Sequence, residues 1–428
     1  MLVACTTESP GSSQSTQPPE SARPPESSES SETTVPSTSS TSSPSTSSTS
    51  STSSTSNTSE GGVGGAAVDL EALQGVLDEA YAALPSPDAT VQAAVRSTSR
   101  DLDWAGAAGP DAQGATRPLR AASVGKTITA ATVLELAARG ELGLDDPVRP
   151  LLTGETVGLL ERDGYDLDAI TVRQLLVHTS GMYDYAFGEG SPFLAQALAD
   201  RSRRWTRREQ LQLAVDAGDP LWAPGTSFAY SDTGYVVLGE IVEVATGVAF
   251  HEAAREVLGF ERLGLEHLWL EVFEPAPADL LPVSRSFLLA DEISDLDFSL
   301  DAFGGGGYAG TTSELARWFE ALLGGLDGGL DGVSAVFTDP GSLDVLLTVP
   351  DTNLGLEEFG VLLGDGAHGV YRLEVAGRTC WSHRGFLGTI ALTCPADDVS
   401  VVVSTNTALT DPLPIATALV ELVVAPDP

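Results

Sequence analysis

A chain of 428 residues, 42% of them hydrophobic, can bury a substantial core as one large domain or two modest ones, which excludes a peptide or a fibre. Lys and Arg total 22 against 60 Asp and Glu, a formal charge of −38; so acidic a surface repels phosphate backbones and anionic headgroups, excluding nucleic acid as a partner and charge-driven adsorption to membranes. No run of eighteen or more apolar residues occurs, so no membrane-spanning helix is expected.

At the start of the chain, Leu2-Val3-Ala4-Cys5 has the form of a bacterial lipobox in which the Cys is lipidated, although the four residues before Cys5 hold neither the basic nor the apolar region of a signal peptide. Residues 6–66 are mostly Ser, Thr, Pro and Glu and cannot bury enough surface to offset their ordering entropy, so a disordered tether is expected there. Residues 1–66 hold six Glu and one Arg, a net −5 of the −38, so −33 resides in the expected domain at 67–428. Lipobox and tether together predict a lipoprotein on the extracellular face of the bacterial membrane, or a secreted protein, with Cys5 its only membrane anchor.

The domain opens with Leu70, Leu73, Val76, Leu77, Tyr81 and Leu84 at helical spacing. Strands are predicted at Val91 to Val95 and Asp101 to Ala105, after which the chain runs through Gly114-Ala115-Thr116 to Ser123. Apolar residues from Ile128 to Ala138 predict a buried helix opened by Ser123-Val124-Gly125-Lys126 and closed by Gly140. The region from about Leu144 to Tyr371 reads as mainly helical, with helices at Val172 to Val177, Tyr235 to Ala245 and Thr312 to Leu323. Strands at Arg378 to Gly385, Thr389 to Cys394 and Val399 to Thr405 are separated by tight turns, and an apolar helix spans Ile415 to Val424. Strands near both termini with helices between imply an α+β fold, one sheet built from both ends with a helical region inserted.

Ser123 and Lys126, three apart, share a face at a helix N-terminus, where amide dipoles favour the negative charge that develops when a hydroxyl attacks a carbonyl. Lys126 is the only lysine in the chain, retained where Arg could not serve, because a desolvated ammonium can act as a base and a guanidinium cannot. A phosphate-binding loop would need Gly five positions before Gly125, where Arg120 stands. A nucleophile elbow over Ala121 to Gly125 would need a preceding core strand, which Gly114, Pro118 and Arg120 make poorly. Tyr230, between Pro224-Gly225 and an apolar helix, is placed to point into a cleft and, near an ammonium, to transfer protons. In Trp381-Ser382-His383-Arg384-Gly385-Phe386, His383 could donate to a substrate or to Tyr230, and small Gly385 would let a substrate backbone approach.

Ser123-x-x-Lys126, Tyr230-Ser231-Asp232 and His383-Arg384-Gly385, in that order, resemble the three boxes of the family containing class C β-lactamases, D-alanyl-D-alanine carboxypeptidases and related esterases. Ile170 to Tyr185, with its His178-Thr179-Ser180-Gly181 run, and Gly305 to Arg317 match further family stretches, His178 and Ser180 looking structural. The resemblance, covering roughly 67–428, implies an αβα sandwich plus a helical subdomain. It also implies an acyl-enzyme on Ser123, proton shuttling by Lys126 and Tyr230, and an oxyanion hole from the Ser123 and Phe386 backbone N–H groups. Substrate contacts would come from Asp232, His383, Arg384, Gly385 and Phe386, where Asp232 replaces the usual Asn and Arg384 the usual small hydroxyl. The implied activity is carboxypeptidase-like or β-lactamase-like, on a peptidoglycan peptide or a β-lactam, with a family esterase or a non-catalytic wall-binding lipoprotein as alternatives. A monomer without cofactor or metal is expected. Cys380 and Cys394, equidistant from the turn near Leu387 on adjacent strands, are expected to form a disulfide on the face opposite His383.

Overall fold

The computed structural model describes residues 68–112, 117–324, 334–358 and 360–425. Cys5, the tether at 6–66 and the Gly114-Ala115-Thr116 run lie outside the described residues. Helix α1 (Leu70–Ala82) is capped by the Asp69 carboxylate, which accepts from the Glu71 and Ala72 N–H groups. It precedes strands β1 (Val91–Ser97) and β2 (Leu102–Ala108). The helices that matter for the site follow: α2 (Lys126–Ala138), α3 (Asp232–Thr246) and α4 (Thr312–Leu323). The chain then forms β3 (Leu356–Glu358), β4 (Val361–Gly366), β5 (Tyr371–Val375), β6 (Arg378–Gly385), β7 (Thr389–Cys394) and β8 (Val399–Ser404), and ends on helix α5 (Leu413–Val424).

The eight strands form one antiparallel sheet in the order β2-β1-β8-β7-β6-β5-β4-β3. Strand alternation sorts its side chains into two cores. Val91, Val95, Cys380, Cys394 and Val403 face Leu73, Leu77, Leu419 and Val423 of α1 and α5. Ala94, Trp381, Ala391 and Val402 face the other core, shared with α2, α3, α4 and the helical region between. The result is an αβα sandwich with a helical subdomain, whose sheet comes from both ends of the chain. The segment from Leu356 to Tyr371, read as part of the helical middle, instead holds two strands and the start of a third. Gly360 and Gly364, at φ of 75° and 103°, interrupt the alternation that marks a strand in sequence.

Cys380 and Cys394 are bonded with Cα atoms 4.1 Å apart, in the core away from Trp381. Among the described residues no single helix is long and apolar enough to cross a membrane.

Candidate active site

Ser123 sits one turn earlier than a helix-opening reading implies. It lies in a 3₁₀ turn, Ala122–Gly125, that runs into α2. Ala122 adopts φ of 47°, a left-handed conformation costing a residue with a Cβ roughly 1–2 kcal/mol. The turn is pinned from the sheet side, because a Cβ on Gly385 would collide with the Ala121 carbonyl oxygen. Glycine is therefore required at 385 for the approach of the protein's own backbone, a different reason from the substrate approach expected of it. The next residue, Phe386, packs its ring 4.9 Å from that of Phe187.

Lys126 is fully buried, and its ammonium has three donors. They meet three acceptors: Ser123 Oγ at 3.0 Å, Asp232 Oδ1 and the Gly305 carbonyl. Burial pulls the Lys126 pKa down, but the carboxylates of Asp232 and Asp301 outweigh it and hold the ammonium above its ordinary value. Lys126 is thus a fixed cation in the resting site.

Asp232 is the first residue of α3, and Ser231 caps that helix by accepting the Gly234 N–H at 3.3 Å. The Ser231 N–H donates to His178 Nδ1 and the Asp232 N–H to Asp184 Oδ1, each at 3.1 Å. The Ile170 to Tyr185 segment therefore fixes the second box. Tyr230 stacks on His178 with centroids 4.5 Å apart and holds its ring centroid 5.1 Å from Lys126 Nζ. Burial, then the Lys126 charge, drives His178 well below the usual imidazole range.

His383 is buried, and its Nδ1 lies 2.7 Å from the Arg384 carbonyl oxygen. Burial and then the Lys126 charge push its pKa down to about 3, so the ring is neutral, with Nδ1–H donating to that carbonyl. Its Nε2 then offers a lone pair, the reverse of the donor expected of it. Arg384 donates through Nη1 to Asp411 Oδ1. Arg372, on the neighbouring strand β5, is an exposed partner of Asp365 at 2.6 Å.

Ser123, Tyr230, His383, Arg384, Gly385 and Phe386 all line one cleft of about 140 Å³, with Asp232 behind it on Lys126. Three further groups escaped the sequence reading. Asp184, buried, and Asp301, half-buried, are acids pushed up to about 7, each first by loss of solvent; Asp232 raises both further, while Lys126 opposes the shift. Gly305 supplies its carbonyl to Lys126. The only sequence signal for Gly305 is the glycine run itself, which passes so close to the nucleophile's turn that a Cβ on Gly306 would lie 2.6 Å from the Ala122 oxygen. Among the described residues no group of three or more His, Cys, Asp or Glu side chains is arranged to hold a metal ion.

Residues 56–425 match the family model described as Beta-lactamase. The chain is 38% identical over 160 residues to esterase EstB of Burkholderia gladioli, covering 36% of this chain and 39% of that one. It is 35% identical over 146 residues to penicillin-binding protein 4 of Amycolatopsis lactamdurans, covering 33% of each. The matched stretches thus span between a third and two fifths of these curated relatives. A D-stereospecific amidohydrolase from Streptomyces sp. superposes with a TM-score of 0.68 at 26% identity, covering 83% of this chain and 99% of that one. The D-amino acid amidase of Ochrobactrum anthropi SV3, complexed with D-phenylalanine, shares the fold with a TM-score of 0.66 at 19% identity, over 83% and 98% of the two chains. With the family model spanning nearly the whole described chain and the same sandwich in these solved hydrolases, the chain belongs to the Beta-lactamase family.

Proposed function

We propose that the protein is a serine hydrolase that works through an acyl-enzyme on Ser123. The carrying observation is the 3.0 Å contact between Ser123 Oγ and the buried Lys126 ammonium at the wall of a cleft. In this reading the hydroxyl attacks a substrate carbonyl, forming the Oγ–C bond, while its proton passes to Tyr230 and on to the departing group as the scissile bond breaks. Water repeats the sequence to release the acid and restore Ser123. A fixed Lys126 cation stabilises the alkoxide forming beside it and favours Tyr230 over Lys126 as the proton acceptor. The backbone N–H groups of Ser123 and Phe386 serve as the oxyanion hole. Export, as a lipoprotein anchored at Cys5 or as a secreted protein, is part of the same proposal. Its support is the Leu2-Val3-Ala4-Cys5 sequence and the Cys380–Cys394 disulfide, a bond that persists in oxidising compartments.

Incubation with a serine-directed fluorophosphonate and a labelled penicillin, followed by intact mass, tests the nucleophile. The wild-type chain should gain one phosphonate adduct, and Ser123→Ala should lose both the adduct and all turnover while keeping its melting temperature. Turnover by the Ala variant would sink the assignment. A wild-type chain inert to every acyl donor and to the phosphonate would leave the wall-binding alternative in its place.

A further inference from the structure

The cleft beside Ser123 measures about 140 Å³, close to the ~150 Å³ apolar cavity known to hold one benzene ring. Phe187, Val361, Leu363, Phe386 and Leu409 are the aromatic and aliphatic part of its wall, beside the polar groups already named. Arg384 is the one permanently charged cation among the described residues that line it. Its guanidinium is engaged through one nitrogen: Nη1 donates to Asp411 Oδ1 and places a carboxylate on the cation, while Nε and Nη2 are buried without a hydrogen-bond partner among the described residues. Asp411 stands between Thr410 and Pro412, both of which line the cleft. The same carboxylate oxygen accepts the Leu413 N–H at 2.9 Å at the start of α5, which fixes it to the wall. Behind Ser123 the remaining pair, Lys126 and Asp232, neutralise each other.

We infer that Asp411 is a specificity-determining residue: its carboxylate takes up the guanidinium on which a substrate carboxylate would otherwise dock, restricting the site to uncharged acyl donors, esters or amides with a ring-sized apolar group. This inference rests on the serine-hydrolase reading of the same cleft. The Arg384 side chain is 12% exposed, so a carboxylate reaching it would have to displace Asp411 or share the cation with it. Asp411 is 40% exposed, so solvent screens part of its charge, but two carboxylates on one guanidinium still repel. A neutral ester or amide meets no such cost, and its apolar part gains the burial that the aromatic and aliphatic wall provides.

The test uses the full chain and a matched pair of substrates, a cephalosporin with its ring carboxylate and the methyl ester of the same compound. The wild-type protein should give the higher kcat/KM with the methyl ester. Asp411→Asn keeps a side-chain oxygen for the Leu413 N–H but removes the competing charge. The free-acid to methyl-ester ratio should then rise about tenfold to a hundredfold, as expected for one charge-assisted hydrogen-bonded pair. Adding Arg384→Gln to Asp411→Asn should cancel the gain, which a merely structural role for Asp411 would not predict. An unchanged ratio in Asp411→Asn, or a wild-type preference for the free acid, overturns the inference while leaving the hydrolase reading intact. If neither member of the pair, nor p-nitrophenyl butyrate, nor a fluorophosphonate reacts with the wild-type chain, the hydrolase reading falls and this inference with it.

Discussion

Three acceptors converge on one ammonium at the centre of this site, and the match is one of count as well as charge. Lys126 spends its three N–H groups on Ser123 Oγ, Asp232 Oδ1 and Gly305 O, and no water-exposed face remains for it. A guanidinium carries its donors on a bulkier, rigid planar head and cannot converge on three acceptors in the same fully packed space. Lys126→Arg should therefore lower kcat/KM by about a hundredfold or more even though the positive charge is kept. Full activity in that variant would show that charge alone suffices and that the three-way geometry is incidental. Lys126→Met would differ, because it strands Asp232 as an uncompensated buried carboxylate; such removals cost about 3–5 kcal/mol. Comparing the two variants by chemical denaturation as well as by kinetics separates the loss of chemistry from the loss of fold.

At the scale of elements, β6 and β7 bring the third box to the nucleophile, and they are the part of the fold most legible in sequence. They are short runs bounded by turn residues: Gly388 at φ of 71° makes the turn between them and Pro395 follows the second, and the observed bounds Arg378–Gly385 and Thr389–Cys394 follow from those stops. Ser123, Lys126 and Tyr230 were legible because their spacing and flanking residues are local. The 3₁₀ turn at Ser123 was not, since the left-handed Ala122 gives no local sequence signal and the turn packs against Gly385, far along the chain. Arg384 and Asp411, 27 residues apart, likewise meet only in the fold. The disulfide across β6 and β7 joins residues 14 apart, and closing a loop of that length removes about 3 kcal/mol of unfolded-state freedom. Replacing Cys380 and Cys394 together by Ala should lower the unfolding free energy by about that amount in urea titrations. A loss under about 1 kcal/mol would mean that strand pairing already restrains the unfolded chain there.

At the scale of the whole molecule, the charge of −38 is accompanied by buried ionisable groups whose proton affinities pull in opposite directions. Asp301 and Asp184 are each pushed from an ordinary 3.8 up to about 7, chiefly by burial and in part by the Asp232 charge. His383 and His368 are pushed from 6.5 down to about 3 and about 4, chiefly by burial. The histidines contribute stability that is present above about pH 6.5 and lost as pH falls toward their folded values, because the unfolded chain takes up protons that the folded chain refuses. The two acids do the reverse. Their contribution is fully present below about pH 3.8, where folded and unfolded chains are both protonated, and it is lost as pH rises through about 7. Because these slopes oppose each other, the pH profile of the wild-type protein alone would hide them, and a difference measurement is needed. Asp301→Asn keeps an oxygen for the Gly307 N–H that Asp301 accepts at 3.0 Å, and it removes one of the two raised acids. Between about pH 4 and pH 7 the wild-type protein should lose stability relative to this variant by up to roughly 1.4 kcal/mol per pH unit, one proton's worth, and above that range the gap should level off. Urea unfolding of both proteins at pH 4.5, 5.5, 6.5 and 7.5 measures it. A gap that stays constant across the series would mean that Asp301 is ionised throughout, with its proton affinity left unraised by the fold.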